Sequence, residues 1–463
     1  MAAEDGTSDH TTIIDMELAL PPAFLWPECC IYKIPRELCM FNEKAYSPRL
    51  ISIGPLHHGK RGLKKRDMLK LRYFRNFFYR TQKKQEDFYK LIDNEFHRVL
   101  RSYSEFDLAP EYLLKVILLD AIFIIELFLN TARNPDDQND EILSKPWLRH
   151  AIRVDLMLLE NQIPYFVLKE LYEYAFMDDN RSEEQRVVTL SFLTLTYNYF
   201  CLSYEQGHME EEGDPNHFTD LLRTFHCRPF LSKIIPATRD PDEREIRMVV
   251  MPIKHLYTAT KLDEAGVKFK AVEENVSFLD IKFQKNSCLD FCPCFTSSWL
   301  LNCLPCLKYF PCMVRMQTFL EVPHLVVDDR TETLFRNIMA LEECHYPREA
   351  YFCNYVSLLD FLISDEKDVE LLVDKKVFRN QLGSNAEVAT LINNLCPDQI
   401  GDASSIFYDL SRLLNKHCDN PWNRTLATMS SVYFPNIWRG TATVVGLIIL
   451  GFTFWNFLRP YVS

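Results

Sequence analysis

The stretch EYLLKVILLDAIFIIELFLN, from Glu111 to Asn130, limits most tightly what this chain can fold into. At helical spacing it is apolar nearly all round. A helix of that kind lies either in the centre of a large core or in a membrane. Lys115, Asp120 and Glu126 make it a poor span, because ionised groups inside a bilayer are costly. The stretch therefore predicts a core helix, which needs apolar neighbours on every side. The chain can supply them, with 463 residues of which 47% are hydrophobic. Only 12 residues are glycine. Tight hairpins and βα turns use glycine where φ is positive, so its scarcity favours helix. The expected fold is mainly α: a single large helical domain with a minor β component.

The rest of the pattern agrees. In LKKRDMLKLRYFRNFFYRTQKK, Leu71, Phe74 and Phe78 fall at i, i+3 and i+7 and predict an apolar helix face. VDLMLLENQIPYFVLKELYEY reads as helix that Pro164 kinks or splits. RVVTLSFLTLTYNYF reads as helix rather than strand, and FTDLLRTF opens a short helix. Residues 205–217 form a polar surface loop. ATKLDEAGVKFKAV reads as helix, a stop at Gly266, then strand. VSFLDIKF and FLEVPHLVVDD are the best strand candidates. TETLFRNIMALEECH and AEVATLINNL are helices. No internal repeat is visible.

The formal charge of −12 argues against a general nucleic-acid binder. Against that background, Lys60 to Lys84 holds eleven Lys or Arg and one acid, Asp67. Lys64, Lys65, Arg66, Arg72 and Arg75 are candidate contacts to an anionic surface, each worth about 1 kcal/mol at a lipid headgroup. The competing reading is a solvated face that pairs with the acidic remainder.

The two ends differ. MAAEDGTSDHTTIIDMELAL lacks the basic region and apolar core of a secretory signal, so residues 1–27 read as a polar leader. Without a signal, the 15 cysteines are expected to be reduced. GTATVVGLIILGFTFWNFL, from Gly440 to Leu458, carries no charge and lies between Arg439 and Arg459. As a helix it is roughly 28 Å long, against a hydrocarbon core of about 30 Å. Trp438 and Trp455 sit near its ends, as interfacial anchors do. This predicts a transmembrane helix over 439–459 and a tail at 460–463. It would be a single-pass anchor in plasma membrane or endomembrane lipid, with the domain over 28–438 cytosolic by default. A buried core helix is the competing reading. Sequons at Asn180, Asn275 and Asn423 matter only in a secretory lumen and are expected to stay unmodified.

LISIGPLHHGKR, from Leu50 to Arg61, has most of a phosphate-binding loop: Gly54, Gly59 and Lys60 stand at G-x-x-x-x-G-K. Such a loop works by aiming consecutive backbone N–H groups at phosphate, with Ser or Thr after the Lys to hold magnesium. Here Pro55 has no N–H, Arg61 replaces the Ser or Thr, and His57 and His58 fill the centre. The longer stretch CCIYKIPRELCMFNEKAYSPRLISIGPLHHGK resembles the opening signature of a plant family called domain of unknown function 247. The resemblance recurs at VDLMLLENQIPYFVL, FTDLLR, ATKLDEAGVKFK, VPHLVVDDRTETLFRNIMALEE and NYVSLLDFLI, and in the terminal apolar run. It implies a mostly helical plant domain with a C-terminal membrane segment and no established enzymatic activity. Some grass members are proposed pollen-side determinants of self-incompatibility. It also implies that Gly54, Gly59 and Lys60 are structural loop residues.

CLDFCPCFTSSWLLNCLPCLKYFPCM holds Cys288, Cys292, Cys294, Cys303, Cys306 and Cys312. Three readings stay open for it: an S-acylated or membrane-dipping hairpin, a zinc site using Cys292, Cys294, Cys303 and Cys306, or an apolar loop of free thiols. His57 and His58 read as turn residues. Glu321–His324 and Glu342–His345 match one half of a carboxylate-bridged metal site without its other half. The sequence thus favours a membrane-anchored, non-enzymatic recognition or signalling protein with no cofactor and an unidentified protein partner. The alternatives are a nucleotide- or metal-dependent enzyme using the Gly54–Lys60 loop, and a structural membrane adaptor.

Overall fold

In the computed structural model, the described residues are 26–176, 190–202, 213–234, 251–272, 277–284, 318–395, 405–421, 423–425, 445–446 and 448–455. A single turn, α1 (Arg36–Cys39), precedes the irregular segment 46–63. Helices α2 (Asp67–Thr81), α3 (Gln85–Asn94) and α4 (Phe96–Arg101) then lead to α5 (Pro110–Arg133). Pro110 opens α5 at its first turn, where a missing N–H costs nothing. Every residue from Ala121 to Phe128 is buried, as a helix apolar on all sides requires. Helices α2, α3, α7 (Tyr165–Phe176) and α8 (Phe192–Phe200) pack around it. The helix α6 (Pro146–Asp155) stops before Leu156; residues 156–164 run as turns, and α7 starts directly after Pro164. The helix expected from Val154 up to Pro164 is therefore absent beyond Asp155, and only the part after Pro164 is helical as expected.

The sequence expectation for α2 is off by one residue. Its buried side chains are Lys70, Tyr73 and Phe77, while Leu71 is exposed and Phe74 and Phe78 are half-buried. A lysine takes the place that the apolar pattern would give to a hydrophobe, because an acidic partner waits for it inside α5.

The second half begins with α9 (Phe218–Ile234), which is longer than the short helix expected from FTDLLRTF. Helix α10 (Ala259–Glu264) stops at Gly266, which has φ +93°, and β1 (Val267–Val272) follows. VSFLDIKF yields only β2 (Lys282–Gln284), its first part being a turn. FLEVPHLVVDD supplies β3 (Thr318–Pro323) and β4 (Leu325–Val327). The first sheet has the order β1-β3-β2, with β1 parallel and β2 antiparallel to β3. Strand β4 pairs in parallel with β5 (Phe378–Asn380). Helices α11 (Thr331–His345), α12 (Tyr351–Leu362), α13 (Glu366–Asp374), α14 (Asn385–Leu395) and α15 (Tyr408–Cys418) complete this half. Helix α13 starts with a reciprocal cap, in which Asp365 accepts from Asp368 N–H at 3.3 Å and Asp368 accepts from Asp365 N–H at 3.4 Å. Helix α9 packs on α11 and α12 and meets the first half at its start, where the Phe218 ring centre lies 5.5 Å from that of Phe128.

Among the described residues no helix is long and apolar enough to cross a membrane. Of the run from Gly440 to Leu458, residues 445–446 and 448–455 are described, and they are helical and exposed. The anchor expected over 439–459 is thus without structural support among the described residues. The leader up to residue 25, the Cys288–Cys312 cluster, the tail 460–463 and the sequons at Asn180 and Asn275 lie outside them. The eight described cysteines are all free thiols.

Candidate functional site

The segment that imitates a phosphate loop is held by side chains from far along the chain. Asp155, the last residue of α6, accepts from the N–H groups of Arg49 (2.9 Å), Leu50 (2.7 Å) and Ile51 (2.8 Å). Burial pushes its carboxyl up to about 6, and those three donors pull against the rise. Asn161 accepts from Ile53 N–H at 2.6 Å and donates to the carbonyls of Ile51 (3.1 Å) and Asp155 (2.8 Å). Asp120 in α5 accepts from Gly54 N–H at 2.9 Å and from the Lys70 ammonium at 2.5 Å. Lys70 also donates to the Ser52 carbonyl. Gly54 has φ +71°, and a Cβ there would collide with the carbonyl oxygen of Gln162. Within the loop itself the Gly54 N–H is thus committed to Asp120 and the N–H groups of His58 and Lys60 to the carbonyls of Pro55 (3.2 Å) and His57 (3.4 Å), while Lys60 is exposed. His57 is buried with Nε2 2.9 Å from Glu160 Oε2, close but without hydrogen-bond alignment. His58 sits edge-on to Tyr112.

A second network ties the later motifs together. Arg223 of FTDLLR donates to Glu342 at 2.8 Å and to the Glu349 carbonyl at 2.7 Å, and its guanidinium lies 3.9 Å from the centre of the Tyr346 ring. Glu342 is fully buried and also accepts from the N–H groups of Phe352 (3.1 Å) and Cys353 (2.9 Å). Tyr346 donates to Asp220 at 2.9 Å. Asn337, in the same helix as Glu342, accepts from Leu159 N–H at 2.9 Å and donates to the Ala45 carbonyl at 2.8 Å. The motifs at residues 29–60, 154–168, 218–223 and 322–343 are thus one another's hydrogen-bond partners. Neither Glu-x-x-His pair is arranged as a metal ligand pair. Glu342 serves Arg223, His345 meets the Tyr32 hydroxyl at 2.9 Å, and Glu321 pairs with Lys270. Among the described residues no group of three His, Cys, Asp or Glu is placed to hold a metal ion.

The buried His217 gives this network a pH dependence. Its Nε2 lies 3.0 Å from the Cys30 carbonyl, and Asp220 N–H approaches Nδ1 at 3.3 Å. The first contact requires Nε2 to carry the proton and the second requires Nδ1 to be bare, so the ring is neutral. Burial holds its pKa down to about 4 from 6.5. Between those values the unfolded chain binds the extra proton, so stability falls as pH drops from about 6.5 to about 4, by up to about 3 kcal/mol. Asp155, whose carboxyl is pushed up to about 6, acts in the opposite sense over the same range, so the His217 contribution is read as the difference between the melting curves of wild type and a variant. His217→Gln keeps a donor without the titration and should remove that contribution.

Of the candidate anionic-surface residues, Lys64, Arg72 and Arg75 are exposed and Arg66 is half-buried; the Lys65 side chain lies outside the described ones. Two other cations of the same stretch turn inward: Lys70 to Asp120, and Arg80 to the buried Glu126. The third sequon is sealed, since Asn423 is buried and its amide donates to the His417 carbonyl at 2.8 Å. A cleft beside Arg149, His150 and Arg153 carries no signature in the sequence. Its side chains come from separate helices, and only folding brings them together.

These paired side chains build the frame of a mainly helical domain. The chain belongs to the plant family of unknown function DUF247, whose profile matches residues 31–452. It is similar to the UPF0481 protein At3g47200 of Arabidopsis thaliana, 24% identical over 91% of this chain and 84% of that protein. It is also similar to the putative UPF0481 protein At3g02645 of Arabidopsis thaliana, 23% identical over 91% of this chain and 88% of that protein. No solved structure matches it.

Proposed function

We propose that the chain is a membrane-associated recognition protein with no reaction of its own, anchored by the run from Gly440 to Leu458. The outer face of α2 carries this reading. Met68, Leu71, Arg72, Arg75 and Tyr79 share the solvent side, opposite buried Lys70, Tyr73 and Phe77. Tyr79 is 82% exposed and Met68 64%. Lys60, Arg61 and Lys64 stand exposed just before the helix. Exposed apolar side chains between arginines suit the boundary of an anionic bilayer, where the apolar groups enter and the cations meet headgroups. The described part of the terminal run, with Ile448, Leu450, Phe452 and Trp455 exposed, offers a second contact of the same kind. Two such signals are what stable attachment takes. Pollen-side recognition of the self-incompatibility kind falls within this reading and rests on the family resemblance.

Cosedimentation of the full chain with vesicles tests it. Adding anionic lipid to neutral vesicles should raise binding several-fold, moderate salt should remove that gain, and Arg72→Glu with Arg75→Glu should abolish it. Binding indifferent to anionic lipid would sink the role given to α2.

A further inference from the structure

Between the signature loop and α2 the chain makes a short basic turn. Five of the seven residues from Lys60 to Arg66 are Lys or Arg, and none is acidic. Leu63, 6% exposed, pins the stretch to the core. Two turns close it: Leu63 N–H donates to the Lys60 carbonyl at 3.0 Å, and Arg66 N–H donates to the Leu63 carbonyl at 2.9 Å. Each such turn brings its ends within about 7 Å. Lys60, Arg61 and Lys64 are exposed and Arg66 is half-buried. Their side chains have no ion-pair or hydrogen-bond partner among the described residues. The next acid along the chain, Asp67, lies 3.6 Å from the buried Lys70 instead. The backbone N–H groups of Arg61 and Gly62 likewise have no acceptor among the described residues. A Cβ placed on Gly62 would meet nothing within 4 Å, so no described part of the fold covers the turn there.

Successive free N–H groups in a turn form a concavity for anions, and Arg and Lys at the same place suit phosphate. The density of charge selects among phosphates. A serine lipid offers a single negative charge, so several would have to gather at one turn. A phosphomonoester carries about −1.5 to −2, so two or three on one ring match the turn at once. A turn fixed by Leu63, and by the Lys70–Asp120 pair just beyond it, loses little freedom on binding. We propose that residues 60–66 bind one multiply phosphorylated headgroup of the inositol polyphosphate class, carried on a membrane lipid or free. Phosphate oxygens accept from the Arg61 and Lys64 side chains and from the N–H groups of Arg61 and Gly62, with Lys60 and Arg66 flanking them. The lipid source rests on the membrane contact assigned to α2; the headgroup chemistry stands apart from it.

Calorimetric titration of the full chain with inositol trisphosphate and inositol monophosphate tests the site without a membrane. The trisphosphate should bind at least about tenfold more tightly. Arg61→Gln with Lys64→Gln should weaken it by about tenfold. Both side chains are exposed, so the melting temperature should not move. Lys254→Gln with Lys416→Gln removes the same charge from exposed side chains of the second half and should leave the affinity within about twofold. No heat with the trisphosphate, or equal losses in the two double variants, would overturn the proposal. Vesicles then identify the source. At matched total charge, bisphosphorylated inositol lipid should outbind serine lipid several-fold, and the Arg61 and Lys64 double variant should lose that preference while still responding to serine lipid. Trisphosphate binding without a vesicle preference assigns the site to a free headgroup. Loss of all response to anionic lipid, with the calorimetry intact, overturns the membrane reading and leaves this site standing.

Discussion

Replacing Lys70 with Met is expected to cost about 3–5 kcal/mol, the usual penalty for stripping one partner from a buried ion pair. Lys70 and Asp120 are each 1% exposed, and the ammonium also satisfies the Ser52 carbonyl. Burial already pushes the Asp120 carboxyl above its usual range, with Lys70 and the Gly54 N–H opposing the rise. Without the lysine, the folded state would keep Asp120 protonated, which becomes more costly as pH rises above the unfolded carboxyl's pKa. The deficit in urea unfolding should therefore be largest near neutral pH and shrink toward pH 5. Adding Asp120→Asn, which removes the orphaned charge but keeps an acceptor for Gly54, should recover part of the loss. A Lys70→Met chain with wild-type stability at neutral pH would show that the pair does not hold the loop.

Asp155→Ala should be comparably damaging for a different reason. It removes no packing volume of consequence but leaves the N–H groups of Arg49, Leu50 and Ile51 without an acceptor. Leu50 and Ile51 are buried, so water cannot easily replace the carboxylate. At about 1–3 kcal/mol for each unsatisfied donor, a loss of about 3 kcal/mol or more follows. Limited proteolysis should then cut between residues 46 and 63 well before the rest of the domain. Resistance equal to wild type there would mean that the loop is held by packing alone.

Much of the helical frame was legible because its signals are local. TETLFRNIMALEECH spans α11 residue for residue, and the uniform apolarity around Ile122 marked α5 as central. The face of α2 was misread because a lysine on a basic helix normally belongs to solvent. What buries Lys70 is Asp120, 50 residues away. The networks were visible only as family motifs, since Arg223 and Glu342 give no local sign of pairing across 119 residues. The cleft gave no sign at all. Arg153 and Tyr199 are ordinary residues in ordinary helices until α6 and α8 are packed on α5.

The distances along the chain also set an order of events during synthesis. The backbone donors of Arg49, Leu50 and Ile51 leave the ribosome 104 to 106 residues before Asp155 does. At about 5–20 residues per second, that is on the order of ten seconds. Through that interval the first part of the nascent chain has α5 emerging, its apolar surface uncovered, and no acceptor for the loop. The family signature at Leu50 to Lys60 is thus a lock whose bolt is made later. A ribosome that stalls before Asn161 leaves a fragment that cannot close on itself and offers its longest apolar helix to chaperones or to other chains.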